Sequence, residues 1–110
     1  MSRVFDLDAI VEQSVRPNIT RAVFGKTLLD DQIKVVLTRV APGGKFETHR
    51  DSYAHLFYFL SGQGRGWIGD QEFVARAGIV AQIDAGELHG YENTGDADLV
   101  LISLNIPKTL

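Results

Sequence analysis

Short apolar stretches alternate with glycine- and aspartate-rich turns along most of the chain. The apolar stretches are rich in β-branched and aromatic residues, which favour strands, and turn residues separate them about every eight to twelve positions. The predicted strands are residues 19–24, 33–40, 55–60, 65–68, 72–74, 79–83 and 99–104. Gly25 is expected to end the first strand and Pro42-Gly43-Gly44 the second, and Gly69-Asp70 predicts a hairpin.

One segment near the N-terminus has helical character. Residues 6–13 carry acidic residues followed by Ala9, Ile10 and Val11, which indicates one short helix with Asp8 near its N-cap. In the rest of the chain, short strands follow one another with short turns, as is typical of an antiparallel sandwich or barrel. The sequence therefore predicts an all-β fold with at most a short N-terminal helix.

Composition narrows the functional classes. The chain has 110 residues, of which 45% are hydrophobic, and we expect a single domain over residues 1–110. The absence of cysteine excludes a thiolate nucleophile, a disulfide framework and a cysteine-ligated zinc site. The 11 basic and 14 acidic residues include no basic block, so nucleic acid is not an expected partner. No apolar run approaches the roughly 20 residues of a membrane span and no signal peptide opens the sequence, so a cytoplasmic protein without membrane contacts is expected.

The three histidines of the chain occupy two turn-marked segments. His49 and His55 flank Asp51 after one glycine pair, and His89 follows a second glycine turn. Imidazole is the commonest nitrogen ligand for transition metals, and a carboxylate commonly completes such a set. This pattern predicts one divalent metal ion, and Zn, Fe, Mn, Ni and Cu all suit these ligands. Because neutral imidazole is the binding form, metal affinity is expected to fall as the pH drops through about 6.

The two histidine segments resemble the two sequence motifs of the cupin superfamily, with every spacing kept. The first family motif has a glycine, two histidines, a glutamate and a glycine, and its positions fall on Gly43, His49, Asp51, His55 and Gly62. The second has a glycine, a proline, a glycine, a histidine and an asparagine, and its positions fall on Gly78, Asp84, Gly86, His89 and Asn93. The resemblance implies a small jelly-roll barrel of the double-stranded β-helix type, with core motifs at residues 43–62 and 78–93.

The chain departs from the family pattern at three positions. Asp51 replaces the second histidine, His55 replaces the glutamate, and Asp84 replaces the proline. The first two changes leave three imidazoles and one carboxylate, so the resemblance implies a metal site made by His49, Asp51, His55 and His89. Aspartate is shorter than histidine, so Asp51 is either a direct ligand or a hydrogen-bond partner that orients an imidazole.

Strand parity extends this site into a pocket. Side chains two positions apart share a face, so Phe57 and Phe59 lie on the face of His55, and Tyr91 lies on the face of His89. Glu47 would join His49 if the strand is regular there. We expect these four residues to line a small-molecule pocket. The alternatives are a solvated rim position for Glu47 and a core role for the two phenylalanines.

Two classes of function remain. The first is a metal-dependent enzyme for a small oxygen-rich metabolite, and the resemblance implies a dioxygenase, isomerase or lyase without choosing among them. The second is a non-catalytic module that binds or senses a small molecule. A homodimer is also expected, because Leu56, Tyr58 and Leu60 form an apolar face opposite to the predicted ligands.

Overall fold

The computed structural model describes residues 2–108, which form an antiparallel β barrel. Its strands are β1 (Gln13–Ser14), β2 (Thr20–Asp30), β3 (Lys34–His49), β4 (Ala54–Ser61), β5 (Gln63–Ile68), β6 (Gln71–Arg76), β7 (Val80–Ile83), β8 (His89–Asn93) and β9 (Leu99–Ile106). The all-β prediction is confirmed. Within these residues, no helix is both long and apolar enough to span a membrane.

The helix predicted over residues 6–13 is much shorter. A 3-10 helix covers Leu7–Ala9, and its N-cap is Asp6 rather than Asp8. The Asp6 carboxylate accepts a hydrogen bond from the Asp8 N–H at 2.9 Å, which satisfies a free donor of the first turn. The apolar residues after this turn are not buried and do not support a longer helix.

The sheet curls into a barrel because one long strand belongs to both of its walls. The strand order is β6-β5-β8-β3-β9-β4-β7. β8 and β9 pair with one edge of β3, and β2 pairs with its other edge. β3 pairs with β9 over 34–40 and with β8 over 45–49. This topology brings the three histidine-bearing segments together, since the end of β3, the start of β4 and the start of β8 meet at one end of the barrel.

Two strands are longer than predicted, because the glycines that were expected to end them lie inside them. Gly25 continues β2, and a Cβ there would lie 2.8 Å from side-chain atoms of Val15 and Val36, so the glycine permits a close approach. Pro42-Gly43-Gly44 does not end β3 but forms a wide bulge. Residues 41–44 lie opposite the single residue Ala22, where β3 passes from one wall to the other.

The remaining predictions of strands fit the structure closely. Gly69-Asp70 forms the turn of the β5–β6 hairpin, as predicted. β1 was not predicted, since it has only two residues. β8 was not among the predicted strands, although the shared face of His89 and Tyr91 assumed extended backbone there, and it begins directly at the second histidine turn. On β4, His55, Phe57 and Phe59 are buried while Tyr58 and Leu60 are exposed, which confirms the predicted parity.

The core fills the barrel behind the histidine cluster. It consists of buried aliphatic and aromatic side chains from both walls: Val23, Val40, Phe46, Phe57, Phe59, Ala75, Ala81, Ile83, Tyr91, Leu99 and Leu101. Phe59, Leu99 and Leu101 are completely buried. The core thus closes one end of the barrel and leaves the other end to the polar cluster.

Candidate metal centre

Three imidazole rings converge at the open end of the barrel. His49 ends β3, His55 lies at the start of β4, and His89 begins β8. His49 and His89 are register partners, and their ring centroids are 4.3 Å apart. The centroids of His55 and His89 are 4.8 Å apart. The barrel therefore brings together the histidines of both sequence motifs.

Asp51 completes the cluster from the loop between β3 and β4. Its Oδ2 lies 3.1 Å from His49 Nε2 and 2.9 Å from His55 Nε2, and its side chain is only 6% exposed. Ligand atoms of His49, Asp51 and His89 all lie within 4.8 Å of one another. The Asp51 carbonyl accepts a hydrogen bond from the Gly86 N–H at 2.8 Å, which joins the two turns that carry the site.

Backbone carbonyls fix the tautomers of two rings. The Nδ1 of His49 lies 2.7 Å from the carbonyl oxygen of Glu47, and the Nδ1 of His89 lies 2.9 Å from that of Glu87. A carbonyl only accepts, so each Nδ1 carries the proton and donates it. In the neutral rings, each Nε2 then presents a lone pair toward the centre.

This arrangement leaves lone pairs without donors. His89 Nε2 is buried and has no hydrogen-bond partner in the described part of the chain. His49 Nε2 and Asp51 Oδ2 are both acceptors, yet they lie 3.1 Å apart. Two acceptors this close repel each other unless a proton or a metal cation lies between them. The ligand atoms of His49, Asp51 and His89 therefore fit a divalent metal ion. His55 Nε2 lies 2.9 Å from the same carboxylate oxygen and donates to it in the metal-free protein; it would bind the metal when the ring proton is on Nδ1, facing Asn105 Oδ1.

The electrostatics keep the imidazoles of His55 and His89 neutral and the carboxylate of Asp51 charged. Burial lowers the pKa of His89 to about 4. Burial also lowers the pKa of His55, although its hydrogen bond to Asp51 acts in the opposite direction. For Asp51, burial raises the pKa, but hydrogen bonds from Arg16 and His55 outweigh it and hold the pKa below its usual value. Near neutral pH, these groups have the protonation states that metal binding needs.

Arg16 is a member of the site that the sequence did not reveal. Its Nη1 donates to Asp51 Oδ1 at 2.9 Å, across 35 positions of the chain. The turn that presents it is held by the Thr20 hydroxyl, which donates to the Val15 carbonyl at 2.6 Å. Ile19 N–H also donates to the Arg16 carbonyl at 2.9 Å. No motif or spacing signalled this arginine.

A cavity of about 240 Å³ extends from the cluster into the barrel. One wall is aromatic and contains Phe57 and Tyr91. The facing wall is polar, since Thr38 and Ser103 share a hydroxyl hydrogen bond of 3.1 Å, and Asn105 contacts His55 Nδ1 at 3.1 Å. The cavity is slightly smaller than the roughly 300–1,000 Å³ usual for drug-sized ligands, which favours a small metabolite.

Two of the four expected pocket residues lie elsewhere. Phe59 is fully buried behind Phe57 and belongs to the core, the alternative reading for that position. Glu47 is on the outside, where its side chain is 53% exposed and lies 3.9 Å from Lys45 Nζ. The expectation for Glu47 required a regular strand, but Glu47 and Thr48 together lie opposite Gly90, and this bulge turns Glu47 away from the ligand side.

Comparison with known sequences places this geometry in a family. The sequence profile described as the Cupin domain matches residues 36–105. The oxalate-binding protein of Thermotoga maritima is 30% identical over 69 residues, which are 62% of this chain. That match spans 57% of the relative's length.

Solved structures share the fold over nearly the whole chain. A predicted oxalate decarboxylase from Thermotoga maritima has a TM-score of 0.86 at 23% identity and covers 96% of this chain and 99% of its own. The polyketide cyclase RemF from Streptomyces resistomycificus has a TM-score of 0.86 at 19% identity, covering 96% and 79%. KdgF from Halomonas sp. has a TM-score of 0.84 at 17% identity, covering 96% and 95%. With a profile match that includes both histidine motifs and a fold shared with these structures, the chain belongs to the cupin domain family.

Proposed function

We propose that the protein binds one divalent metal ion through His49, Asp51, His55 and His89 and holds a small oxygen-rich ligand beside it. The observation that carries this proposal is the buried His89 Nε2, which has no hydrogen-bond partner among the described residues and belongs to a cluster whose ligand atoms, with those of His49 and Asp51, all lie within 4.8 Å of one another. A cation at this point would satisfy all three lone pairs. Zn, Fe, Mn, Ni and Cu each accept imidazole with carboxylate.

The cavity side chains would orient the ligand. A bound metal ion would supply a Lewis acid for the chelating oxygens of the ligand. Phe57 covers the ligand on one side and limits the access of water. Burial raises the pKa of the Tyr91 phenol, so its hydroxyl stays protonated and serves as a hydrogen-bond donor to a ligand oxygen. Ser103 and Asn105 offer hydrogen bonds from the opposite wall.

Each of the two candidate functions, turnover of a small ligand and binding without turnover, is supported by a different similar protein. The predicted oxalate decarboxylase favours a metal-dependent enzyme, and this proposal covers a dioxygenase, isomerase or lyase that acts on a small oxygen-rich metabolite. The oxalate-binding protein favours the second candidate, a non-catalytic module for a small carboxylate. Turnover of a chelating acid by metal-loaded protein, with or without oxygen, distinguishes the two candidates.

The central experiment is elemental analysis of protein purified without an affinity tag. We expect about one equivalent of a divalent metal ion, and none after His89→Gln. The control is Glu47→Gln, which changes an exposed carboxylate near His49 and should retain the metal. Oxalate and other small oxygen-rich acids are then screened, and a ligand at a hundred times its Kd should stabilise the protein by about 2.7 kcal/mol. Wild-type protein that takes up no divalent metal would overturn the proposal.

The proposal also includes a cytoplasmic homodimer. Leu56 is partly covered, and Tyr58 and Leu60 are 44% and 39% exposed on the outer face of β4. Val80 on the neighbouring strand β7 is 54% exposed and extends this apolar face. Light scattering at micromolar concentration should give twice the mass of the chain, and a monomer mass would contradict it. Cell fractionation tests the location.

A further inference from the structure

Lys34 lies on the same wall of the cavity as the polar residues Thr38 and Ser103. It begins β3, and the alternate residues Val36, Thr38 and Val40 face the barrel interior. Lys34 shares their parity and lines the cavity with Val36 and Thr38. A lysine in an inward-facing row is unusual in a small barrel, since its ammonium loses part of its hydration there.

The cavity has more positive than negative charge. Its charged lining residues are Arg16, Lys34 and Asp51, and the first and last of these pair with each other. Among residues 2–108, Lys34 forms no ion pair and donates no side-chain hydrogen bond. Asp31 lines an adjoining depression with Lys34 but is not paired with it. A divalent metal ion would make the excess of positive charge larger, and a cavity lined by one sign of charge favours a ligand of the opposite sign.

The register places Lys34 at a defined reach from the metal cluster. Lys34 and His55 both pair with Asn105, one from each side of β9. Their Cα atoms are therefore about 10 Å apart, which is two spacings between neighbouring strands. Both side chains line the cavity, and Asn105 lies between them in the register. A ligand of a few carbon atoms can span the remaining gap.

We propose that Lys34 binds the distal anionic group of the ligand. The cavity then selects small acids that carry chelating oxygens at one end and a second carboxylate at the other. This inference rests on the proposed function, because the chelating end requires the metal ion. Ser103 and Asn105 lie along the path between the two ends, on the wall shared by β3 and β9.

Two pairs of acids that differ only in the distal carboxylate test the inference. The pairs are 2-hydroxyglutarate with 2-hydroxypentanoate, and malate with 2-hydroxybutanoate. Calorimetry on metal-loaded wild-type protein should show tighter binding of the diacid in at least one pair. Lys34→Met should weaken that diacid about tenfold or more, since a charge-assisted contact is lost, and should leave its monoacid within about twofold. Lys34→Arg should retain the preference.

The control is Lys45→Met on the same strand, whose ammonium lies outside the cavity near Trp67. It should bind all four acids as the wild type does. Equal binding of diacid and monoacid by the wild type, or an equal loss of both in Lys34→Met, would overturn the role of Lys34. Metal content is measured in the same samples. A wild type without metal overturns the proposed function and this inference together, whereas a loaded protein without the preference overturns this inference alone.

Discussion

Arg16 and Asp51 form an ion pair through only one of the two carboxylate oxygens of Asp51. Arg16 Nη1 donates to Oδ1 at 2.9 Å, while Oδ2 faces the Nε2 atoms of His49 and His55. One oxygen is therefore held from outside the cluster, and the other points to its centre. Asp51 Oδ2 is thus placed where it could bind a metal ion directly, despite the short side chain of aspartate.

Removing the arginine should weaken metal binding. In Arg16→Ala the carboxylate loses the contact that opposes the effect of burial, so the pKa of Asp51 should rise. We expect metal affinity to fall roughly ten- to a hundredfold, as for other groups that hold a metal ligand in place. Competition with a metal-sensitive dye measures this.

Arg50→Ala is the matched control, because Arg50 is next to Asp51 in sequence but exposed. It should keep the wild-type affinity. An Arg16→Ala protein that binds metal as tightly as the control would show that the ion pair does not position Asp51.

Each histidine should be necessary for stoichiometric metal. Replacement of His49, His55 or His89 by alanine removes one of three imidazoles that lie against one another in the cluster, so we expect retained metal to drop below one equivalent in every case. Asp51→Asn should lower the affinity roughly ten- to a hundredfold if the carboxylate only orients an imidazole. Circular dichroism confirms the fold of each variant. Full metal content in any folded histidine variant would remove that residue from the site.

The metal-free protein should lose stability as the pH falls. The pKa of His89 is about 4 in the folded protein, against about 6.5 when unfolded, so the unfolded chain takes up the proton first. The stability associated with neutral His89 is present above pH 6.5 and is lost as the pH falls toward 4. The loss is up to about 3 kcal/mol. Urea unfolding after chelator treatment measures it, and His89→Gln should show a shallower dependence. An equal pH dependence of the unfolding free energy in wild type and His89→Gln would contradict the lowered pKa of His89.

Metal release should also occur at a lower pH than the sequence suggested. The expected fall through about pH 6 assumed an ordinary imidazole. Burial lowers the pKa of both His55 and His89, so protons compete less effectively with the metal. Equilibrium dialysis across pH 4 to 7 should place the midpoint below 6. A midpoint at or above 6 would show that exposed groups control release.

Asn93, the last position of the second motif, should matter for stability. Its buried amide donates to the Val40 carbonyl at 2.9 Å and to the Ala97 carbonyl at 2.7 Å, and its Oδ1 accepts from Gly95 N–H at 2.8 Å. Asn93→Ala leaves buried groups without partners and should cost about 2–4 kcal/mol of unfolding free energy. Gln82→Ala, at an exposed position of β7, should change it by less than about 0.5 kcal/mol. Similar values for the two would refute a structural role.

The barrel and the histidine cluster could be predicted because their signals are local. Alternation on β4 gave the inward face of His55 and Phe57, and motif spacing brought His89 to the same site. The strand ends were harder to predict, because the roles of Gly25 and Pro42-Gly43-Gly44 depend on contacts with other strands. A glycine that permits a close approach has the same local sequence signal as one that ends a strand.

The missed and misplaced site residues have a similar explanation. Arg16 reaches Asp51 through a turn between β1 and β2, and no periodicity connects positions so far apart. Glu47 was assigned by parity, which holds only while the strand is regular, and the bulge opposite Gly90 breaks it. Lys34 lies inside the predicted strand 33–40, but the sequence carries no local signal that this lysine lines the cavity.

β3 has neighbours along both edges, with β2 on one side and β9 and then β8 on the other. Its first residue is Lys34 and its last is His49, so the two ends of the cavity belong to one backbone. Amide protons in such an enclosed strand exchange with solvent through global rather than local opening. The arrangement of cavity groups therefore survives local fraying of the termini, and it disappears in the same cooperative transition that unfolds the barrel.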